Sequence, residues 1–507
     1  MSGSSRFDVV IIGSGMASLT SAALLSKKGF SVCVLEQYSK VGGYLHCFSR
    51  FGHRFDTGAH YTGAMGPGQP FHTLLRYLEA YDESLFVPLD PEGFDVFRFP
   101  DFEFQLPKGY EKTIERLTKF FPSEREAIRT YFERVKAVVK LFPTYEFTDD
   151  ALDPVQLIAA TETSLATVVE KLTQSRSLRA ILYSHCTLHG VMPQEISFGL
   201  HAIMVDSLIR GPYGFAKGGD ALAQKMVAVI QKNGGTVLTK KKVTRIETMN
   251  KIAQAVHTDS GDRYEAKWIV SGCHPKATFR MVDDPGIFSP AFRQRLHTLK
   301  ETIGIFGIYA THQAPPQFDR LKNYYYFESA EPEKMLDLNR KSDAKPGLAF
   351  ICPSERIAKS TGTQTLPISI HAACSVEWYK PWIGTAWNKR PHEYHAAKNA
   401  YANQIFDFLD QFHPQLKTRI DHFETSTPLS NLYFNGSEEG SAYGIYHSIQ
   451  NTGARALGPR THIPNLLITG QNTLFPGILG AAVSALRSAG HICGIKPILK
   501  ELKELAQ

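Results

Sequence analysis

The hydrophobic pattern near the start of the chain predicts a strand, a helix and a second strand. Residues 7–12 form a short apolar run rich in β-branched side chains, which is typical of a parallel strand buried on both faces. Apolar residues then recur at helical spacing over 19–25, and Gly29 stands where a helix C-cap is expected. A second apolar run over 31–35 leads directly to Glu36. This order of elements indicates an α/β fold.

The turn between the first strand and the helix has the composition of a dinucleotide cradle. Gly13 allows a tight turn, Gly15 lets the backbone approach a pyrophosphate, and the N–H groups that open the helix face the phosphates. Ser18 replaces the third glycine of the usual pattern, and it is small enough for the helix to pack closely on the strand. Glu36 follows about 20 residues on, where an acid accepts hydrogen bonds from a ribose. The alternative is a glycine-containing turn that binds nothing.

The strand and helix pattern returns in the middle of the chain. After a turn of small residues at 213–219, residues 220–232 predict a helix that stops at a glycine pair. Buried or alternating runs then predict strands at 236–238, 243–246 and 268–272. We expect this block to join the first sheet.

The last block of the chain offers a second anion-binding helix start. Residues 465–472 predict a strand that ends in a polar pair, and a helix rich in glycine and alanine begins at about residue 476. Its first N–H groups can face electron-rich ligand atoms. We interpret the short basic amphipathic helix over 496–505 as packed on the body rather than on lipid.

The remaining segments differ in character from these blocks. Residues 72–210 carry long helical patterns, one of them over 154–175, and a small two-sided sheet is predicted around 94–104. Alternating runs over 285–435 predict a mixed sheet with helices. We therefore predict a doubly wound dinucleotide-binding domain that consists of residues 1–71, 211–284 and 436–507. A substrate domain would consist of the helical insertion at 72–210 and the mixed sheet at 285–435.

A short loop at 55–63 carries side chains that suit a site better than a core. It combines Asp56, His60 and Tyr61 with two glycines, Gly58 and Gly63. The aromatic and aliphatic stripes of the helical insertion could line an apolar substrate cavity, although such stripes more often form core. The tryptophans at 378, 382 and 387 are likewise interpreted as a local hydrophobic cluster, with an interface as the alternative.

Composition narrows the function classes. The 507 residues are 43% hydrophobic and 21% charged, which is ordinary for a globular protein. The net charge of +7 is too diffuse to argue for nucleic acid, whereas contact with an anionic membrane surface stays open. No apolar stretch reaches the ~18–20 residues that a transmembrane helix needs, and the nearest one, 477–494, contains Arg487 and His491. No secretory signal is visible, so we expect a cytoplasmic protein with at most peripheral membrane contact.

The cysteines predict neither disulfides nor a metal site. The seven are scattered and form no C-x-x-C pair. Free thiols in a reducing compartment are therefore favoured over a disulfide framework or a zinc site.

Five separated motifs, taken in order, resemble one family of flavoproteins. They are residues 13–18 with Glu36, Gly42 with Gly43, residues 55–61, residues 213–219, and residues 469–472 with 477–481. The family includes bacterial-type phytoene desaturases, plant carotenoid isomerases and retinol saturases, and the segments at 55–61 and 469–471 are most similar to retinol saturase. The resemblance implies a Rossmann-like FAD-binding domain, with an apolar polyene lying over the flavin.

The resemblance also implies which residues contact FAD. Glu36 would meet the adenosine ribose, Val243 the adenine through its backbone, and Gln471 with Asn472 the ribitol or a phosphate. The family usually has Asp where Asn472 stands. The full implied set is Gly13, Gly15, Met16, Ala17, Ser18, Glu36, Gln37, Gly42, Gly43, Tyr44, His60, Tyr61, Val243, Ser271, Gly470, Gln471, Asn472, Gly477, Ile478 and Leu479.

The chemistry implied is reduction of a carbon–carbon double bond, which needs a hydride and a proton. His60, Tyr61 and Tyr446 are the catalytic candidates, with Tyr213 and His447 behind them; for each, a structural hydrogen bond is the alternative. Because one cradle is evident, we expect electrons from an external donor or acceptor rather than a built-in NADPH site.

The motifs hold flavin and do not fix the direction of the reaction. Saturation of a retinoid, carotenoid or polyunsaturated acyl chain is the first hypothesis, and desaturation or redox-neutral isomerisation is the second. A flavin-free GTPase dissociation inhibitor that carries lipid is a third hypothesis, and an amine oxidase a fourth.

Overall fold

The computed structural model describes residues 5–148, 154–313, 318–336, 346–357 and 365–507. Its strands are β1 Ser5–Ile12, β2 Val32–Leu35, β3 Cys47–Arg50, β4 His53–Asp56, β5 Tyr61–Thr62, β6 Phe86–Pro88, β7 Asp95–Arg98, β8 Glu103–Leu106, β9 Tyr213–Phe215, β10 Thr236–Leu238, β11 Val243–Met249, β12 Ile252–Thr258, β13 Arg263–Ser271, β14 Gly304–His312, β15 Asn323–Phe327, β16 Leu348–Pro353, β17 Leu366–Cys374, β18 Ile420–Ser426 and β19 Leu466–Ile468.

The α-helices are α1 Met16–Lys27, α2 Pro70–Tyr77, α3 Tyr110–Phe120, α4 Arg125–Val139, α5 Pro143–Glu146, α6 Pro154–Glu162, α7 Leu165–Glu170, α8 Arg176–Tyr183, α9 Phe198–Arg210, α10 Gly219–Lys232, α11 Pro275–Met281, α12 Pro290–Thr298, α13 His392–Asp410, α14 Pro428–Asn435, α15 Gly477–Cys493 and α16 Ile495–Ala506. Short 3₁₀ helices occur at Gly43–Leu45, Glu83–Leu85, Pro122–Glu124, Ser184–Leu188, Pro285–Ile287, Val376–Trp382, Lys417–Arg419, Glu438–Gly440 and Gly453–Arg455.

The first sheet collects the strands that the three glycine-rich blocks predict. Its order is β10-β2-β1-β13-β12-β11, and β19 pairs with the end of β13. Strands β10, β2, β1, β13 and β19 run parallel, whereas β12 and β11 continue the sheet antiparallel. Helix α1 packs against this sheet and against helices α10 and α15. The parallel strands therefore end at one edge, where ligands bind in open α/β sheets.

The second sheet has the order β18-β14-β17-β16-β15-β7-β8. It is antiparallel except where β15 pairs with β7 in parallel. Strands β7 and β8 lie where a small two-sided sheet was predicted around 94–104, and their hairpin forms the edge of the larger sheet. Smaller sheets join β3 with β4, and β5 with β9 and β6.

Several local predictions can be compared directly with the structure. The C-terminal helix α16 is packed as expected, since Ile498, Leu499 and Leu502 are buried and Glu501 pairs with Lys28 at 2.9 Å. The single helix predicted over 154–175 was wrong, because Ser164 accepts a hydrogen bond from Thr167 N and caps a new helix, α7. The assignment of residue ranges to two domains stays a prediction.

Candidate functional site

A cavity of about 840 Å³ opens where the ends of β1, β2 and β13 meet the starts of α1 and α15. Its wall continues past the 57–63 loop to strands β14–β17 of the second sheet. It therefore lies between the edge of the parallel sheet and the face of the mixed sheet. Of the residues implied for FAD, those on its wall are Gly13, Gly15, Met16, Ala17, Ser18, Glu36, Gln37, Gly42, Gly43, Tyr44, His60, Tyr61, Val243, Gly470, Gln471, Asn472, Gly477, Ile478 and Leu479.

Gly15 is an open point of this wall. A Cβ added at Gly15 would meet no atom within 4 Å, whereas one added at Gly43 would lie 3.3 Å from the Cα of Gly15. The glycine pair at 42–43 thus packs backbone against backbone behind the first turn, and Gly15 faces empty space. Among the described residues, no side chain caps α1 or α15, so their first N–H groups are available to a ligand. A pyrophosphate fits this arrangement.

Glu36 is held in place by the turn itself. Its Oε2 accepts hydrogen bonds from Ser14 N at 2.9 Å and Ser14 Oγ at 2.6 Å, and its Oε1 accepts one from Tyr38 N at 2.8 Å. The carboxylate is only 7% exposed but lies on the cavity wall. Sequence reasoning missed Ser14, although its position between the two glycines was a usable signal.

Ser18 makes the close helix-to-strand contact that its size predicts. A Cβ on Gly272, just after β13, would lie 2.0 Å from Ser18 Oγ. The first turn of α1 can therefore sit directly on the end of β13, which brings the helix start to the cavity.

The side-chain oxygen of Asn472 is bonded to the protein, and the residue lies on the cavity wall. Its Oδ1 accepts a hydrogen bond from Ile445 N at 2.8 Å, and a Cβ on Gly444 would lie 2.0 Å from that oxygen. A carboxylate oxygen could accept the same bond, which explains how Asn and Asp can both occupy this position.

Tyr61 lies at the front of a buried polar network that the sequence did not reveal. Its hydroxyl is 2.6 Å from Tyr325 Oη and donates to Asp95 Oδ2 at 3.1 Å. The same Oδ2 lies 2.8 Å from His185 Nε2, and Asn323 Nδ2 donates to Oδ1 at 2.8 Å. Burial, and then the charge of Asp95, raise the pKa of Tyr61 well above its ordinary value. Its hydroxyl is consequently protonated at neutral pH.

His60 faces a second imidazole across the cavity. Its ring centroid is 4.5 Å from that of His371, on β17. Burial lowers the pKa of His60 well below its ordinary value, with His371 and the buried Arg356 adding to the effect, and burial lowers the pKa of His371 to about 4. Both rings are neutral at pH 7, so neither is a ready proton donor there.

Four of the predicted site residues lie off the cavity wall. Tyr446 donates to Glu195 Oε2 at 2.5 Å and accepts from Met192 N at 3.0 Å, so its hydroxyl serves the packing of the helical segment. Ser271 is fully buried, and its hydroxyl is 2.7 Å from Thr278 Oγ1. The lesser candidates Tyr213 and His447 are also absent from the described lining of the cavity.

The cysteines are free thiols in the described part of the chain. Cys186, His189 and His201 bring ligand-type atoms within 4.8 Å of one another. Within this group, His189 Nε2 and His201 Nδ1 lie 3.2 Å apart, and all three side chains are buried. Separately, none of the helices in the described residues is long and apolar enough to span a membrane.

Comparison with known sequences bears on the dinucleotide cradle and on the whole chain. Residues 11–78 match a family model described as an NAD(P)-binding Rossmann-like domain. An all-trans-retinol 13,14-reductase of Danio rerio is 27% identical over 94% of this chain and 84% of its own. A phytoene desaturase of Pantoea ananas is 23% identical over 93% and 96%, and a prolycopene isomerase of an Oncidium cultivar is 24% identical over 54% and 49%.

Comparison with solved structures supports the same fold. A putrescine oxidase aligns with a TM-score of 0.65 at 14% identity, covering 97% of this chain and 99% of that one. The predicted α/β class with a Rossmann-like domain is thereby confirmed. These relatives in sequence belong to the groups of enzymes that the motifs resemble. The resemblance of this chain to the family of retinol saturases, carotenoid isomerases and phytoene desaturases is therefore confirmed.

Proposed function

We propose that this chain is an FAD-dependent oxidoreductase that saturates a carbon–carbon double bond of an apolar polyene. The single observation that carries the proposal is the continuity of the cavity. One space joins the cradle around Gly15 and Glu36 to a wall of Tyr325, Leu348 and Phe350 from the second sheet. A dinucleotide at the first end would place its far end beside that apolar wall. Retinoids, carotenoids and polyunsaturated acyl chains suit such a wall.

In this proposal the chain contributes binding, a dry site and a proton. Bound FAD would supply the hydride chemistry. The start of α1 would hold its phosphates, Glu36 would hold its ribose, and the start of α15 would face the pyrimidine edge of the flavin. The neutral pair of His60 and His371 would keep charge away from the apolar substrate, while Tyr61 offers a protonated hydroxyl on the cavity wall. An external donor would supply the electrons.

Desaturation and isomerisation remain the second candidate, because a phytoene desaturase and a prolycopene isomerase are among the relatives. A polyene test separates the three reactions. The purified enzyme is reduced under anaerobic conditions, mixed with all-trans-retinol, a carotenoid or a polyunsaturated fatty acid, and its products are analysed by mass. We expect a gain of two hydrogens on one of them.

The other outcomes of this test would assign a different function to the protein. A loss of two hydrogens with the oxidised enzyme indicates a desaturase, and an unchanged mass with altered geometry indicates an isomerase. A colourless protein that takes up no added FAD would point to a lipid carrier and would overturn the proposal. Heat-denatured enzyme carrying the same amount of flavin is the control for free-flavin chemistry.

A further inference from the structure

The polar network behind Tyr61 has the connectivity of a proton-delivery chain. Tyr61 is part-exposed and lies on the cavity wall, whereas Asp95 is 0% and His185 5% exposed behind it. Asp95 Oδ2 is shared between Tyr61 Oη, at 3.1 Å, and His185 Nε2, at 2.8 Å. One carboxylate oxygen thus connects an imidazole in the interior to a hydroxyl at the site.

The surroundings fix each member of the network. Asn323 Nδ2 donates to Asp95 Oδ1, and Arg356 Nη2 donates to Asn323 Oδ1 at 2.6 Å, so the orientation of the amide follows from its two partners. Tyr325, itself 0% exposed, lies 2.6 Å from the Tyr61 hydroxyl and can donate to it. With Tyr325 donating, the Tyr61 hydrogen has two directions open: inward to Asp95, or outward to the cavity.

We propose that Tyr61 is the proton donor to the substrate and that the Asp95–His185 pair returns a proton to it. The inference rests on the proposed saturase function. As a hydride adds to one alkene carbon, the Tyr61 O–H bond breaks and its proton forms the C–H bond at the neighbouring carbon. The proton held by the Asp95–His185 pair moves to the Tyr61 oxygen in the same step, and the pair regains a proton from water before the next turnover. The two electrons arrive with the hydride, which bound FAD, reduced by the external donor, would supply.

Tyr61 is the catalytic residue of this scheme, and Asp95, His185 and Tyr325 are positioning residues. Sequence reasoning identified only Tyr61. The other members come together because β7 and β15 pair in parallel, which aligns Asp95 with Asn323, and because the 3₁₀ helix Ser184–Leu188 packs over that pair.

The test compares Tyr61→Phe, Asp95→Asn and the double variant in single turnovers of reduced enzyme with a polyene that the wild type saturates. Tyr61→Phe should slow saturation about 100-fold or more, the usual contribution of a general acid. Asp95→Asn should slow it by a smaller factor, and the double variant should be no slower than Tyr61→Phe alone, because residues of one relay are not additive. FAD content and polyene affinity of the oxidised enzyme should stay near those of the wild type, and the rates are compared at a temperature where every variant is folded.

Tyr326→Phe is the matched control. Tyr326 is on the same strand as Tyr325 and equally buried, but its hydroxyl is 2.6 Å from His413 Nε2, away from the relay. It should leave the saturation rate unchanged. Two results would overturn the relay without touching the proposed function. One is a saturation rate of Tyr61→Phe within twofold of the wild-type rate. The other is a double variant slowed by the full product of the two single-variant factors. If Tyr61→Phe does not fold, the saturation rate of His185→Gln is compared with that of Asp95→Asn and of their double variant instead. A flavin-loaded wild type that saturates no polyene would instead overturn the proposed function.

Discussion

Gly15 is the residue that most directly tests whether the cradle holds a cofactor. Its φ of −64° and ψ of 171° suit any residue, and a Cβ there would meet no protein atom within 4 Å. Gly15→Ala should therefore fold normally, and the stability of its apoprotein should stay within about 1 kcal/mol of the wild type, because alanine restricts the unfolded chain but is a poorer helix N-cap than glycine. The added methyl would occupy space that a pyrophosphate needs, so FAD binding should be lost. Flavin titration and apoprotein melting measure the two effects.

Gly458→Ala is the matched control for that variant. A Cβ at Gly458 also meets nothing within 4 Å, but this residue is off the wall of the main cavity. It should bind FAD like the wild type. If Gly15→Ala binds FAD as tightly as Gly458→Ala does, the cradle is not where the cofactor sits.

At the residue scale, local motifs were readable and long-range partners were not. Gly15 and Glu36 were predictable because a glycine turn and an acid at a set spacing act together within one strand–helix–strand unit. Asp95, His185 and Tyr325 belong to distant parts of the chain, and no spacing rule connects them. Tyr446 stays a prediction, and its sequence position does not show that its hydroxyl is bonded to Glu195 and to Met192 N.

Helix α1 depends on close contact with the end of β13 at Ser18. The Ser18 hydroxyl is buried without a hydrogen-bond partner among the described residues, and it lies against Gly272. Ser18→Val adds volume where there is no room, so we expect a loss of about 1–3 kcal/mol in the free energy of unfolding. Ser18→Ala removes only the unpartnered hydroxyl and should be neutral or stabilising. Urea unfolding of both variants checks this, and equal stability of the two would show that the contact is loose.

At the scale of elements, strongly periodic helices and strands were predicted well, whereas the interruption of a helix was not. Strand β1 and helices α1 and α10 appear close to their predicted limits, because apolar runs and glycine stops coincide there. Helix α6 ends and α7 begins at the Ser164 cap. The apolar periodicity over 154–175, taken as a whole, does not show this cap. Strands β15 and β18 escaped prediction, although both complete the second sheet.

For the whole molecule, the sequence predicted two kinds of sheet but not how they meet. The glycine blocks indicated one doubly wound sheet, since each carries its own strand-and-turn signal. The meeting of that sheet with the mixed sheet around one cavity depends on contacts between segments far apart in sequence. One such contact is a buried charge cluster at Glu301, just before β14.

Glu301 joins three segments of the chain. Its Oε2 lies 3.1 Å from His274 Nε2 and its Oε1 2.8 Å from Lys276 Nζ, while its backbone pairs with Ile445. The side chain of Glu301 is 1% exposed, so removing its charge leaves the largely buried Lys276 ammonium bonded to the neutral Leu299 carbonyl but without its carboxylate. Glu301→Gln should therefore cost about 3–5 kcal/mol in the free energy of unfolding at pH 7. The exposed pair of Glu377 and Lys380 supplies the control, and Glu377→Gln should cost less than about 1 kcal/mol.

The pH dependence of that cost identifies the charge as its cause. Burial by itself would raise the pKa of Glu301, but the hydrogen bonds and charges of His274 and Lys276 outweigh it and lower the pKa below the ordinary value of 4.5. A carboxylate whose pKa is lowered on folding stabilises the protein fully above the unfolded-state pKa, and this stabilisation is lost as the pH falls through the folded-state value. The stability gap between wild type and Glu301→Gln, measured by urea unfolding, should stay constant above about pH 5 and narrow as the pH falls below 4.5. A gap of the same size at pH 3 and pH 7 would show that shape, and not charge, holds these segments together.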